Sequence, residues 1–274
     1  MFETEASSHK QTLPKHWQRY TLDQRLLRFS IYFFIVAAIV QSLRNINIIP
    51  EFLIDAPEQM ADLFNRMWPV DWSYYPQSVN SALIETIHIA TLGTIISVFL
   101  AVPIGLLSAR NFTPNRFLNF IARLILVSSR SVNSLVWALL FIAIFGPGAL
   151  AGTLAIAFRS IGFIGKLTGE AIEEAHAGSI EALTASGASK SAQLNYGYWP
   201  QIKPAFLSLI LLRWDINIRE SAVLGLVGAG GIGMTLDTAM NLFQWDRVAV
   251  ILIAIFAIVI VTEVIITQVR NRLL

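Results

Sequence analysis

Four long stretches of the chain contain no charged residue, and they indicate the class of protein. The stretches are 29–43, 86–109, 131–158 and 248–262. A helix needs about 20 mostly apolar residues to cross the hydrocarbon core of a bilayer. The second stretch reaches this length alone, and the others reach it with their flanking residues. The pattern therefore predicts an all-α membrane protein rather than a soluble protein with a large buried core.

The same pattern, taken with its more polar neighbours, predicts about six transmembrane helices. We place them at 26–44, 80–109, 117–145, 149–169, 204–226 and 246–268. Small residues are mixed with large aliphatic ones in these segments, which allows helices to approach closely in lipid. Pro103 and Pro147 lie inside or beside them and favour bent or broken helices.

Charge predicts the orientation, because basic residues collect in short cytoplasmic loops. The N-terminal segment carries Lys10, Lys15, Arg19, Arg25 and Arg28. Basic residues also mark the loop 110–116, the stretch 166–203 and the tail from Arg270, whereas 44–85 holds six acidic and two basic residues. Both termini are therefore predicted inside, with an even number of spans.

Segment 45–79, on the predicted outer side, favours an amphipathic helix lying on the membrane surface. Met60, Leu63, Phe64, Met67 and Trp68 recur at helical spacing, and aromatic residues follow at 72–75. Aromatic side chains at this position are typical of an interfacial anchor. An ordinary exposed loop is the alternative.

Composition excludes several other classes of protein. Charged residues make up 14% of the chain, against about 25% in soluble proteins. The absence of cysteine excludes a disulfide framework and a thiolate metal site. No HExxH, G-x-S-x-G or Walker A sequence occurs, so we predict no metal site, no serine hydrolase and no ATP hydrolysis by this chain. A net charge of +2 does not indicate nucleic acid binding, and the polar N-terminus predicts no cleavable signal.

The polar loop between the fourth and fifth predicted spans favours two short helices. Ser179 is placed to cap the first, and Gly187 to end it in a left-handed conformation. Ser189 can cap the second, which is expected to stop before Pro200.

This loop, EALTASGASKSAQLNYGYWPQI, resembles the E-A-A-x3-G-x9-I-x-L-P loop of the permease subunits of ABC importers. The matching positions are Glu181, Ala182, Gly187 and Pro200, with Leu183, Gly197 and Trp199 as departures. The resemblance implies a coupling helix that docks on an ATPase subunit, with Ala188 beside its glycine. An amphipathic hairpin with chance spacing is the alternative.

A wider resemblance covers roughly residues 80–270 and points to the permeases of phosphonate and phosphite importers. It is carried by the runs around FGPGALAG, PQIKPAF and INIRESAVLGLVGAGGIG. FGPGALAG lacks one glycine that we expect before its proline, and Phe158-Arg159 replaces a His-containing pair. Permeases for methionine have a shorter version of the glycine run, so methionine or another small solute is the alternative.

The resemblance implies a type I ABC importer permease in a bacterial inner membrane. It implies a second copy of the chain, two ATPase subunits that bind ATP and Mg, and an extracytoplasmic substrate-binding protein. The domains would be a cytoplasmic segment 1–25, a first helix with the amphipathic segment at 26–79, and a permease domain at 80–270 with the coupling loop at 170–203. The chain itself would hold no cofactor.

The run LVGAGGIG also has the G-x-G-x-x-G spacing of a dinucleotide site, in Gly228, Gly230 and Gly233. A membrane-embedded oxidoreductase is therefore a second hypothesis. However, a dinucleotide site needs a strand, a turn and a helix, and the flanks here are predicted membrane helices. We expect these glycines, with Gly231, to let the backbone turn and pack tightly where two copies meet or where substrate enters.

Ionisable residues inside membrane segments are costly and mark cavities or partners. Arg123 and Arg130 are seven residues apart and share a helix face, while Asp215 and Arg219 are four apart and can pair. Such a pair either holds helices together or belongs to a transport route. Arginine suits phosphonate oxygens, and the candidates for lining a route are Arg130, Asn133, Arg159, Asn217 and Arg219.

Overall fold

The computed structural model describes residues 20–46 and 50–273, and the regular elements in this part of the chain are all helices. Lys10, Lys15 and Arg19, on which the predicted orientation partly depends, lie outside the described residues. The helices are α1 (Leu22–Asn45), α2 (Pro50–Arg66), α3 (Asn80–Ser108), α4 (Arg116–Ser131), α5 (Ser134–Phe145), α6 (Ala149–Glu173), α7 (Ala177–Ala185), α8 (Lys190–Ala192), α9 (Trp199–Gly225), α10 (Ile232–Asn241) and α11 (Trp245–Leu273). Single π-helical turns at Tyr75–Val79 and Gln193–Tyr198 lead into α3 and α9.

The chain forms two compact units, Met1–Met60 and Ala61–Leu274. The first contains α1, which is apolar on all sides and long enough to cross a membrane. Helix α2 is amphipathic, because Met60, Leu63 and Phe64 share one face and Glu51 and Asp62 share the opposite one. An amphipathic helix within 45–79 is confirmed, but it ends at Arg66 and does not include Met67 and Trp68. Its position at the membrane surface stays a prediction.

Within the described residues, four helices are long and apolar enough to span a membrane: α1, α3 with its π-helical turn, α6 and α11. The pair α4 and α5 makes a fifth if the two count as one bent span. Helix α9 has 27 residues, but its four central charges lower its hydropathy. The chain is a multi-pass membrane protein, and the prediction of six spans stays a prediction.

The third predicted helix, 117–145, is wrong in one respect, because it is two helices that meet at an angle of 92°. Val132 and Asn133 leave the helical conformation, and the Asn133 side chain accepts a hydrogen bond from the Leu135 amide at 3.0 Å. This cap starts a new helix after the polar run at 128–134. The apolar pattern alone does not reveal it.

Helix α6 lies at the centre of the second unit and packs against α3, α4, α5 and α9. Glycines allow the close approach: a Cβ on Gly105 of α3 would lie 2.8 Å from the Gly165 carbonyl, and one on Gly162 would lie 2.5 Å from the Leu126 carbonyl of α4. The predicted use of small residues for helix packing is confirmed.

A row of polar side chains joins α3 to α9. The Trp214 indole donates to the Thr91 hydroxyl at 2.9 Å, and the Asn217 amide donates to the Thr94 hydroxyl at 2.7 Å. Hydrogen bonds between helices satisfy polar groups that lipid cannot. They hold α9 in one rotation about its axis, and this rotation decides where its charged residues point.

Candidate functional site

An open cavity of about 370 Å³ lies where the α4–α5 break faces α6 and α9. We call it the α5–α9 cavity. Its lining residues are Asn133, Ser134, Leu135, Arg159, Ile216, Arg219, Glu220, Val223 and Leu224. Three of the five predicted route residues, Asn133, Arg159 and Arg219, therefore meet at one place, although they lie up to 86 positions apart in the sequence.

Arg159 is the cation of this cavity with the weakest contacts. Its Nη1 atom lies 3.5 Å from the Ser134 hydroxyl and 3.5 Å from the Glu220 carboxylate. Both distances are at the long end for hydrogen bonds. The guanidinium therefore keeps donors that can turn to an anion entering the cavity.

Glu220 faces two arginines, because its other oxygen lies 3.3 Å from Arg213. Arg213 is 3% exposed and also donates to the Ser160 hydroxyl at 2.9 Å. One carboxylate thus serves two guanidinium groups, which leaves the cluster with one net positive charge. A single excess charge attracts an anion without binding it as strongly as two free arginines would.

Arg219 has closer partners than Arg159. It is bonded to Asp215 on its own helix and, at 2.6 Å, to Glu263 on α11. The predicted pairing of Asp215 with Arg219 is confirmed. Because two carboxylates contact its Nη2 atom, Arg219 joins α9 to α11, and Arg159 has the longer contacts of the two arginines in the cavity.

Two other predicted route residues do not line the α5–α9 cavity. Asn217 is fully buried, and its side chain holds Thr94 of α3 and Ser160 of α6. Arg130 lines a different cavity, between α4 and α6. The sequence predicts how far along its helix each residue lies. It does not show how α4 and α9 are rotated about their own axes, and this rotation decides which cavity a side chain faces.

Helix α7 carries the loop that resembles a coupling helix, and it ends at Gly187 as predicted. Gly187 has φ +79, its amide donates to the Thr184 carbonyl, and the Ala188 amide donates to the Leu183 carbonyl. These two bonds form a Schellman motif, for which glycine is the usual residue. Glu181 and Ala182 are exposed on the outer face of α7.

The start of α7 differs from the prediction, because the helix begins at Ala177 and His176 occupies the cap position. The hydroxyl of Ser179 donates instead to the His176 carbonyl at 3.1 Å. Ser189 caps α8 as predicted, accepting from the Ala192 amide at 3.3 Å.

The expected stop before Pro200 is also wrong, since helical backbone runs from Lys190 through the π turn into α9. Pro200 lies in the first turn of α9, where a missing amide hydrogen leaves no helical bond unmade.

Gln201, which sequence reasoning missed, fastens α7 to the beginning of α9. Its amide nitrogen donates to Ser179 at 2.9 Å and to the Gly197 carbonyl at 2.7 Å, and its oxygen accepts from the His176 amide at 2.8 Å. Gly197, one of the departures in the loop, packs directly under α7: a Cβ there would lie 3.1 Å from the Leu183 side chain. Hydrogen bonds and close packing therefore hold α7 against the start of α9.

The π turn that follows α8 has a buried aromatic anchor. Tyr198 is 4% exposed and lies edge-on to the Phe112 ring, with 6.2 Å between the ring centroids. Burial raises the pKa of the Tyr198 phenol above its ordinary value of 10.0. This side chain stays neutral and fixes the base of the loop against the α3–α4 connection.

The glycine run forms the turn between α9 and α10, and it is not a dinucleotide site. The apolar segment before it is helix rather than strand. Gly228, Gly230 and Gly231 all have positive φ, and a Cβ on Gly233 would lie 2.0 Å from the Ala222 carbonyl. The glycines therefore pack α9, α10, α3 and α6 of this chain against one another.

Known proteins resemble this chain in sequence and in fold. A family model described as binding-protein-dependent transport system inner membrane component matches residues 101–274. The chain is 36% identical over 211 residues to the phosphite transport system permease protein of Stutzerimonas stutzeri, and the match covers 77% of this chain and 76% of that relative.

Two further matches are informative. The chain is 35% identical over 237 residues to the phosphate-import permease protein of Mycolicibacterium smegmatis, and it covers 44% of that relative's length with 86% of its own. A solved inward-facing structure of the MetNI methionine ABC transporter aligns with a TM-score of 0.62, at 17% identity, over 72% of this chain and 96% of that one. The second match shows the fold alone.

Proposed function

The chain belongs to the family of binding-protein-dependent transport system inner membrane components, and on this premise we propose that it forms the membrane pathway for a small phosphorus oxyanion. The anion would be phosphite, a phosphonate or a close relative. The chain is a transport subunit and not an enzyme. ATP and Mg would be bound by a partner ATPase.

The observation that carries this proposal is the α5–α9 cavity with its weakly engaged arginine. Arg159 and Asn133 provide donors for phosphorus-bound oxygens, while Glu220 partly neutralises Arg159. Guanidinium groups suit the geometry of such oxygens. A permease must also release its cargo, and a partly neutralised arginine favours release over trapping. The names of the two relatives point to the same class of anion.

The transport cycle would couple α7 to this cavity through α9. We infer that α7 lies on the cytoplasmic side and docks on the ATPase subunit through Glu181, Ala182 and the turn at Gly187. Gln201 ties α7 to the first turn of α9, and α9 carries Arg219 and Glu220 at its other end. A shift of α7 during ATP binding would thus change the shape of the cavity and favour one conformational state.

Two copies of the chain would complete the pathway, with two ATPase subunits on the cytoplasmic side. An extracytoplasmic binding protein would deliver the anion on the outer side of the membrane, near 61–79 and 227–245. A second, related permease chain in place of the second copy is the alternative assembly.

Uptake into proteoliposomes tests the proposal. The complete complex with its ATPase and binding protein should accumulate phosphite, a phosphonate or phosphate in an ATP-dependent way, and should ignore methionine. Arg159→Gln should lower this uptake at least tenfold, because it removes the free donors. Arg44→Gln, in α1, is the matched control and should transport normally. Accumulation of methionine instead would overturn the proposed substrate.

A further inference from the structure

A second cavity, of about 160 Å³, lies between α4 and α6 and reaches the end of α3. We call it the α4–α6 cavity. Its lining residues are Ser108, Arg123, Leu126, Val127, Arg130, Lys166, Gly169, Glu170 and Glu173. It shares no lining residue with the α5–α9 cavity. Three basic residues therefore meet at a place that the proposed transport site does not use.

The acidic residues of this cavity are already paired. Arg123 lies 2.6 Å from Glu173 and also donates to the Ser108 carbonyl at 3.0 Å. Lys166 lies 3.2 Å from Glu170, in an exposed pair between adjacent turns of α6. Exposed pairs of this kind are weak and exchange readily with other partners.

Arg130 is different, because its guanidinium has no hydrogen bond or ion pair with any residue in the described part of the chain. Its backbone is held close to α6: a Cβ on Gly162 would lie 3.0 Å from the Arg130 Cβ. Gly162 is eleven residues from the end of α6 at Glu173, a distance of roughly 16 Å along the helix. Arg130 is exposed in this open cavity, so all of its guanidinium donors are available to an anion.

The position of the cavity relative to α6 adds a second argument. Arg159 and Lys166 are seven residues apart, so they share one face of α6, roughly 10 Å apart along its axis. Arg130 lies in the last turn of α4, and Asn133 caps α5 on the other side of the α4–α5 break. The two cavities are therefore successive positions on one side of α6, each with an arginine that is not fully paired.

We propose that the α4–α6 cavity binds a phosphate-type oxyanion, with Arg130 as the main ligand and Lys166 as the second cation. Guanidinium and ammonium groups together provide the donors that phosphate oxygens accept. The oxyanion is either the headgroup phosphate of an anionic lipid, whose chains would lie along Leu126 and Val127, or a free inorganic anion. This site goes beyond the proposed function, because it does not depend on which solute the protein carries.

Direct binding to the purified full chain in neutral detergent tests the site in two arms. In the first arm, equilibrium binding of radiolabelled inorganic phosphate is measured at constant ionic strength. In the second arm, native mass spectrometry counts bound dioctanoyl-phosphatidylglycerol against dioctanoyl-phosphatidylcholine. Binding of phosphate identifies a free anion as the ligand, and binding of phosphatidylglycerol alone identifies a lipid headgroup.

Arg130→Gln should weaken the binding at least about tenfold in whichever arm shows it. Arg130→Lys should recover part of it, and Arg44→Gln, in α1, should leave it unchanged. Lys166→Gln, which changes the second cation of the cavity, should also weaken it and serves if Arg130→Gln does not fold. The proposal is overturned if the protein binds neither probe or if Arg130→Gln binds as the parent chain does. A loss of binding in Arg159→Gln but not in Arg130→Gln would also overturn it, because the anion would then lie in the α5–α9 cavity. Since no transport is measured, these results are separate from the test of the proposed function.

Discussion

Glu220 is the single carboxylate on which two arginines depend, and one of these, Arg213, is buried. Removing one partner of a buried ion pair leaves an uncompensated charge in a medium that solvates it poorly. Among single substitutions, the largest losses of stability are therefore expected where a buried charged residue loses its partner.

Glu220→Gln should destabilise the protein by about 3 kcal/mol, because it leaves Arg213 without its counterion. The matched control is Glu263→Gln, whose side chain is 61% exposed and whose loss should cost less than about 1 kcal/mol. Thermal unfolding of the detergent-solubilised protein measures both. Equal unfolding temperatures for the two variants would contradict this account of the cluster.

Gly233 is the position where added volume should be least tolerated. A Cβ there would meet the Ala222 carbonyl at 2.0 Å, whereas the Cβ of Gly178 in α7 would meet nothing closer than 3.9 Å. Gly233→Ala should lower stability by about 1–3 kcal/mol through overpacking. Gly178→Ala should be neutral or slightly stabilising, because alanine is the better helix former. A neutral Gly233→Ala in the same unfolding assay would show that α10 is free to move away from α9.

Helix α7 and the start of α9 are expected to move together, because the Gln201 side chain of α9 bonds to α7, to its cap residue and to the π turn before α9. At the scale of these helices, the question is whether a movement of α7 reaches α9, rather than how much the contact stabilises the fold. The Schellman turn at Gly187 ends α7 cleanly and leaves its outer face free for a partner.

Gln201→Ala should uncouple ATP hydrolysis from transport, since it removes the two hydrogen bonds that join α9 to Ser179 and to the His176 amide at the start of α7. In proteoliposomes the ratio of solute transported to ATP hydrolysed should fall severalfold, while hydrolysis continues. Asn195→Ala changes an exposed amide in the same loop and should keep the normal ratio. An unchanged ratio in Gln201→Ala would mean that α7 acts on the bundle by another route.

The segment before the π turn at Tyr75–Val79 is tied to α11 by Asp71, which lies 3.5 Å from Arg247. The hydrogen bond from the Ser73 hydroxyl, with help from Arg247, holds the Asp71 pKa below its ordinary value of 3.8. A carboxyl group with a lowered pKa in the folded state stabilises that state above about pH 4, and the contribution is lost as the pH falls further.

The unfolding temperature should therefore fall less on acidification below pH 4 in Asp71→Asn than in the parent chain. Thermal unfolding between pH 3 and pH 7 measures the difference. Asp246→Asn is the control, because this neighbouring carboxylate has no side-chain ion pair among the described contacts. Identical acid sensitivity in the parent and Asp71→Asn would contradict the assigned role of Asp71.

At the scale of the whole molecule, both cavities open to the surface of one chain. A pathway through the membrane needs walls on all sides, which a second permease chain would supply. The number of permease chains in the assembled importer therefore decides whether the pathway is enclosed.

Two differently tagged copies of this chain, expressed with the ATPase, should purify together in one complex. Mass measurement of the detergent-solubilised assembly should give two copies of this chain to two ATPase subunits. A single copy of this chain with a different permease would support the mixed assembly instead. Tagged copies mixed after separate purification are the control for aggregation.

Local patterns in the sequence predicted most of the helices. Helices α3, α6 and α11 begin within one residue of their predicted starts at 80, 149 and 246, because apolar length is a local property of the chain. The turn at Gly187 and the cap at Ser189 were equally local and are confirmed. The break at Val132 was missed, because the capping Asn133 and the short polar run at 128–134 were included in one predicted span.

The sequence by itself determined that this is a helical membrane protein of a transport family, and it identified the arginines that need a partner. Only the tertiary structure decided that Arg159 and Arg219 meet Asn133, that Arg130 faces another cavity, and that Asn217 is buried. The physical reason is that the depth of a residue follows from its position along its own helix. The direction in which its side chain points depends on the rotation of that helix, which is set by packing and hydrogen bonds with residues distant in the sequence.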